Sequence, residues 1–465
     1  MKMKRVLSFV TVLLLCLGTA QAQQAKYIFL FIGDGMGINH VYGTELYNAS
    51  VHPEMPNEGR LSFTRFPIRT FVTNHSASSL VTDSSAAATS LAAGVKTVNG
   101  YMGVDAEKRS VKNITELLSE RGMKVGVVTN VGVNHATPSA FYSHNESRSN
   151  YGNLFEQLLS SEVDFAAGST VLYKKRDGLL PKDYVEKAKQ ANMKVLQDPK
   201  AAGKVRGKRV LLLSDDLSRK ALKYANDCTE GDITLMDYTD AAISYLERES
   251  KDGFFLMVEA GHIDYCAHDN DAVTTFEEVN HLSKSVDMAL EFYAKHPDET
   301  LIIVTADHET GGMNLGYKNY KMNMERLAWQ KGSISALTDK MGAMREQGKT
   351  SWEDMVALLK SELGFWEHVR LRSKDEQSLR KAFDKSFAQN SDKVVSLYNV
   401  NEKLASLAIE ILNKRAYIAW ISLNHTGMQV PLFIKGAGIE HFYNCYDQTD
   451  VPKGIARAAG TELNN

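Results

Sequence analysis

The chain has 465 residues, 43% of them hydrophobic, and a formal net charge of −2. That balance gives no electrostatic reason to expect nucleic acid or an anionic membrane as partner. The length exceeds one ordinary domain, and with Cys16 in a leader only Cys228, Cys266 and Cys445 remain, which excludes a disulfide scaffold.

Lys2, Lys4 and Arg5 precede an apolar run over 6–17 that Ala20-Gln21-Ala22 closes. This is the pattern of a secretory signal peptide, residues 1–22, cut after Ala22, and the run is too short for a membrane span. The mature protein, 23–465, is expected to be soluble and exported, in a periplasm or secreted. No later segment reaches membrane length, so no membrane association is expected after cleavage.

Residues 26–32 form a continuous apolar run, the mark of a strand buried on both faces. It exits into Gly33-Asp34-Gly35-Met36-Gly37, where glycines allow a sharp turn and close approach to a ligand. Taken alone, Asp34 reads as a loop carboxylate capping the next helix. After a mixed stretch over 71–81 comes Thr82-Asp83-Ser84 and an Ala-rich segment ending at Gly94, a short helix with Asp83 or Ser84 at its N-cap. A hydroxyl there feels the positive end of the helix dipole, which favours an alkoxide and a nearby anion.

The pattern predicts a helix over 111–121 and a strand over 124–129, followed by His135-Ala136-Thr137-Pro138. Arg148 offers a planar fork suited to an anion. Further strands are expected over 163–167 and 209–215, with a basic solvated helical face carrying Lys182 to Lys204 between them. A helix over 235–249, capped by Thr234, leads to a strand over 254–258. That strand exits into Glu259, Asp264, Tyr265 and His268. Asp264 and His268 stand four apart, so a helix puts both on one face, where they can share a metal.

Residues 301–306 form another buried strand, and it ends in Asp307-His308, a pair suited to zinc at the edge where α/β sheets bind ligands. The sheet pattern then stops. Residues 327–414 have helical spacing, with Trp352, Phe365 and Trp366 as their small core. Strands are expected to resume over 416–421 and 431–434, with His425 beside a Gly turn between them.

Gly33-Asp34-Gly35-Met36-Gly37, Thr82-Asp83-Ser84 with Gly94-Val95-Lys96, His135-Ala136-Thr137-Pro138, Glu259 with Asp264 and His268, Thr305-Ala306-Asp307-His308, and His425-Thr426-Gly427 stand in one order across nearly the whole mature chain. Together they resemble the alkaline phosphatase family. The resemblance implies an α/β three-layer sandwich with a mostly parallel central sheet and a mainly helical insertion at about 318–415. It implies a metal-dependent phosphomonoesterase acting on small phosphate monoesters through a phosphoserine on Ser84.

By the same resemblance, Asp264, His268 and His425 would hold one zinc, and Asp34, Asp307 and His308 a second. Asp34, Thr137 and Glu259 would hold a magnesium. Arg148 would clamp phosphate, with His135 and Tyr265 beside the phosphate and the magnesium. A homodimer is expected by family analogy only. Two other readings are a phosphodiesterase of the same superfamily and a non-catalytic phosphate-binding protein. A diesterase more often uses a Thr nucleophile and lacks the magnesium set, whereas a dead protein would have lost ligands. A sulfatase would need a Pro and an Arg after the nucleophile, and Ser84 has neither.

Overall fold

The apolar runs become the middle of one nine-stranded sheet in the computed structural model, which describes residues 24–54, 59–318, 320–389 and 392–465. The expected signal peptide lies outside the described residues. In chain order the strands are β1 (Tyr27–Gly33), β2 (Ile68–Val72), β3 (Lys124–Thr129), β4 (Phe165–Gly168) and β5 (Lys194–Leu196), then β6 (Val210–Leu213), β7 (Phe254–Ala260), β8 (Thr300–Ala306) and β9 (Val430–Gly436). Across the sheet they run β2-β9-β8-β1-β7-β3-β4-β6-β5. Neighbours are parallel except around β9, which is antiparallel to both β2 and β8.

Helices flank this sheet, so its central strands are covered on both faces: every residue of β7 and β8 is buried, and all of β1 except Tyr27. This is why they read as unbroken apolar runs rather than as alternation. Their register also sets the site. Gly33 at the end of β1 lies level with Ala260 of β7 and Ala306 of β8. The next residues, Asp34, Gly261 and Asp307, therefore leave the sheet side by side at its C-terminal edge.

A second apolar core lies beside the sheet. Its buried residues include Leu337, Met355, Phe365, Leu379 and Leu412, from helices Ile334–Glu346, Trp352–Leu363, Ser373–Ala382 and Lys403–Ala416 and the turn at Phe365. Phe365 is buried there, with Trp352 and Trp366 packed against the cluster, as expected.

Three expectations change. The basic stretch from Lys182 to Lys204 is not one helical face: helix Pro181–Gln190 gives way to β5 and a short 3-10 turn, Pro199–Lys204. An edge strand of three residues leaves no periodicity to read, and it forms because β6 offers a free edge. The strand expected over 416–421 shrinks to Ile418–Ala419, because helix Lys403–Ala416 continues to that point and Tyr417 closes it with φ 64°. Within the mixed stretch, Phe71 and Val72 belong to β2, which the antiparallel β9 recruits to the sheet. All three described cysteines are free. Among the described residues no helix is long and apolar enough to cross a membrane.

Candidate metal centre and nucleophile

Each expected residue arrives at the C-terminal edge by its own local device. Asp83 caps helix Ser84–Ala93 by accepting from Ala86 N at 3.0 Å, and Gly94 closes it in the left-handed conformation at φ 70°. This leaves the Ser84 hydroxyl at the first turn, 3.2 Å from His308 Nε2. Ser85 turns away: it donates to Asp83 Oδ2 at 2.6 Å and accepts from Gly100 N at 3.1 Å. Asp264 and His268 do lie on one helix, His262–His268, with Oδ1 and Nε2 3.3 Å apart. His425 is brought in by a two-residue ribbon in which it pairs with Thr310. Its Nε2 stands 3.2 Å from His268 Nε2 and 3.7 Å from Asp264 Oδ1.

The outer nitrogens of these rings decide what the inner ones can do. His268 Nδ1 faces Leu423 O at 2.5 Å and His425 Nδ1 faces Thr82 O at 2.9 Å. A carbonyl only accepts, so both Nδ1 atoms carry hydrogen and each ring, when neutral, presents an Nε2 lone pair inward. Two inward nitrogens at 3.2 Å with a carboxylate beside them form a site for a cation, which is a metal ion or, without one, the proton that Asp264 favours on His268. Two nitrogens and a carboxylate oxygen at these distances suit zinc or a similar ion.

The second group repeats this logic. His308 Nε2 lies 3.3 Å from Asp34 Oδ1 and 3.2 Å from Asp307 Oδ2, and its ring stacks on His425 at 3.5 Å. Asp34, Glu259 and His135 form a third group. His135 Nδ1 is 3.9 Å from Glu259 Oε1, and Thr137, just after His135 in the chain, is fully buried. Both oxygens of Asp34, Thr137 Oγ1, Glu259 Oε1, Asp264 Oδ2, Asp307 Oδ2 and His135 Nδ1 are all buried without a hydrogen-bond partner. Polar atoms are rarely orphaned in a folded interior, and a concentration of them around three carboxylate-imidazole groups fits bound cations. Gly35 is required at the centre: at φ 73° a Cβ there would meet Thr310 Oγ1 at 2.8 Å and Asp264 Oδ1 at 2.9 Å.

The electrostatics agree. Burial, then repulsion from Asp307 and Asp264, raises Asp34 well above the usual carboxylate range. Burial, then Asp264, raises Asp307 to about 8. Burial opposes ionisation of Asp264 too, but His268 and His425 outweigh it and hold that carboxyl well below its usual value. Burial, then His425, pushes His308 far down, so its ring is a neutral donor of a lone pair.

Arg148 also reaches the site. Its Nη1 donates to Asp83 Oδ2 at 3.1 Å and its Nη2 lies 3.4 Å from His135 Nε2. Burial disfavours its charge, yet Asp83, which accepts its hydrogen bond, keeps the guanidinium charged. Tyr265 is buried, with its ring 6.0 Å from that of His135. The nucleophile candidate, the three groups and the arginine therefore meet in one place. Sequence reading passed over three further contributors. Asp83 orients Arg148 besides capping the helix. Thr310 donates to Asp264 and sits 3.2 Å from His308 Nδ1. Tyr398 stacks on Tyr265 with centroids 3.7 Å apart. Thr310 could have been suspected from its place two residues after Asp307-His308, but nothing local marks Tyr398.

A parallel sheet that gathers buried carboxylates and imidazoles around a helix-borne serine, with an arginine opposite, defines a metal-dependent phosphoryl-transfer hydrolase. The family model described as alkaline phosphatase matches residues 25–461, and the chain belongs to that family. It is a metal-dependent phosphomonoesterase. Alkaline phosphatase 4 of Bacillus subtilis is 30% identical over 438 residues, covering 92% of this chain and 87% of that protein. A cold-active alkaline phosphatase from a psychrophilic Shewanella species is similar in structure, with a TM-score of 0.78 and 26% identity over 93% of this chain and 99% of that one. The alkaline phosphatase of Thermus thermophilus gives a TM-score of 0.76 at 25% identity over 96% of this chain and 94% of its own.

Proposed function

We propose that the enzyme hydrolyses phosphate monoesters through a phosphoserine on Ser84, with two zinc ions and one magnesium ion. The carrying observation is the Ser84 hydroxyl 3.2 Å from His308 Nε2, at the meeting point of the partnerless carboxylate oxygens. Asp264, His268 and His425 take the first zinc, Asp34, Asp307 and His308 the second, and Asp34, Thr137 and Glu259 the magnesium. When bound, such ions lower the serine hydroxyl pKa and neutralise charge on the phosphoryl oxygens. Ser84 Oγ attacks phosphorus, the bond to the ester oxygen breaks and the alcohol leaves with a proton. Water then attacks the phosphoserine, releasing inorganic phosphate and restoring the hydroxyl. Arg148, held by Asp83, binds the phosphoryl oxygens throughout.

In this reading residues 1–22 are removed on export to a periplasm or the exterior, and 318–415 is a helical insertion in one phosphatase domain. The test is metal content together with turnover of a generic aryl phosphate and its diester. Monoester turnover should exceed diester turnover by about 10²–10³-fold, since Arg148 and the magnesium corner favour a dianion with free oxygens. A diester preference would move the enzyme to the phosphodiesterase reading. Zinc and magnesium in other than about a two-to-one ratio would overturn the ion assignment.

His135 carries a further expectation. An imidazole beside Asp34 and Glu259 offers a hard cation a nitrogen and no negative charge, whereas a carboxylate offers both oxygen and charge. His135→Asp should lower the magnesium concentration for half-maximal activity on the order of tenfold. An unchanged magnesium titration would place His135 outside that corner.

A further inference from the structure

The hairpin Lys393–Val395 and Val400–Glu402 lies far in sequence from every candidate ligand except His425, and its turn enters the site. Asn399 fixes it there: its amide donates to Asp269 Oδ2 at 2.6 Å and to the Tyr224 hydroxyl at 3.0 Å. Asp269 directly follows His268, so the turn is tied to the end of the metal-bearing helix. Leu397 points out of the turn and is 59% exposed. Tyr398 points in. Its ring lies flat on Tyr265, 3.7 Å between centroids and 15° between planes. It meets His135 edge-on at 5.9 Å and His268 edge-on at 5.6 Å. It thus bridges the third group on one side and the first on the other.

The tyrosine's polar end is unusual. Its hydroxyl oxygen is buried and has no hydrogen-bond partner, although buried tyrosine hydroxyls nearly always find one. The stacked ring fixes where that oxygen can go, so a partner must come to it. Arg148 stands at the same imidazole: its Nη2 lies 3.4 Å from His135 Nε2, and the Tyr398 ring meets that ring at 5.9 Å. A phenol donor and a guanidinium beside the same imidazole match an anion with several acceptor oxygens.

We propose that the Tyr398 hydroxyl donates a hydrogen bond to a phosphoryl oxygen of the bound substrate, making the hairpin turn part of the phosphate pocket. This rests on the phosphomonoesterase reading and adds to it a substrate-binding residue supplied by the helical stretch. Stacking on Tyr265 gives that residue its geometry, and Asn399 gives the turn its anchor. The stretch thereby completes the pocket, in addition to packing beside the sheet.

Tyr398→Phe keeps the stacked ring and removes only the hydroxyl. The metal-loaded enzyme is assayed with an aryl monoester, using inorganic phosphate as competitive inhibitor. The expected result is a rise of about tenfold in both the phosphate Ki and KM, the scale of one hydrogen bond to a charged group. Melting temperature and bound metal should be unchanged. Asn399→Ala, which loosens the turn but leaves the hydroxyl, should raise the same two constants by a smaller factor. A phosphate Ki within twofold of wild type in Tyr398→Phe overturns the proposal while the monoesterase reading stands. A fall in kcat alone overturns it too, since the hydroxyl would then serve water or the leaving group. A wild-type enzyme that neither turns over the monoester nor binds phosphate sinks the site reading, and this proposal with it.

Discussion

Ser84→Ala should lower monoester turnover by about four orders of magnitude or more, the scale seen when a covalent nucleophile is removed. Nothing beside Ser84 can replace it. Ser85, its neighbour on the same helix, is committed to Asp83 and Gly100. Ser85→Ala should therefore cost far less, through a looser Asp83 and so a looser Arg148, and should appear mainly in KM. Acid quenching of wild type with labelled substrate should leave the label on the peptide that contains Ser84. Equal losses for the two alanine variants, or label on another peptide, would remove Ser84 from its role.

Chelation should lower melting temperature and activity together. Four buried carboxylates, Asp34, Glu259, Asp264 and Asp307, share the cleft with the one guanidinium of Arg148. Divalent ions relieve that repulsion, and an ion bound only by the folded state stabilises it by about 4 kcal/mol at a thousandfold excess over Kd. For a chain of this size, the three ions proposed above would give a shift on the order of 10 °C. Zinc with magnesium should restore more than zinc alone. A melting temperature indifferent to chelator would contradict the whole site.

The pH dependence of that effect has a definite sign. In the metal-free protein Asp34 and Asp307 hold their protons far above the unfolded carboxylate value, Asp307 to about 8. These two carboxyls therefore bind more protons in the folded state than in the unfolded one, and their contribution to stability falls as pH rises from about 4 through 8. His308 and His425, held below the ordinary imidazole value, work in the opposite direction up to about pH 6.5, and Asp264, depressed by its histidines, does so only below about pH 4, so the fall is clearest above about 6.5. Calorimetry of the chelated protein should show melting temperature dropping between about pH 6.5 and pH 8, with the metal-loaded protein changing much less. Metal binding near pH 7 should release protons, measurable by titration in two buffers of different ionisation enthalpy. A chelated protein that gains stability over that range would refute the account.

What the amino-acid sequence determined was the set of buried parallel strands and what stands at their ends. Residues 26–32, 254–258 and 301–306 are apolar on both faces because helices cover both, so their pattern survives without context, and Asp34, Glu259 and Asp307-His308 follow from where each run stops. The helix from Ser84 was legible for a similarly local reason: an N-cap, an alanine run and a closing glycine interact within a few turns. Tertiary structure alone decided the rest. The edge strands β2 and β5 are short and half-exposed, so only a free neighbouring edge makes them strands. His425 reaches Asp264 through a ribbon with Thr310, more than a hundred residues away. Asp83 shows a cap in its sequence, but its grip on Arg148 depends on a loop 65 residues downstream. Tyr398 lies in a stretch whose pattern reads only as helix, whereas it folds as the turn of a hairpin, and its place against Tyr265 comes from how that stretch packs on the sheet. Periodicity records what a segment does with its own neighbours; contacts between distant segments leave no such trace, because they are set by register and packing.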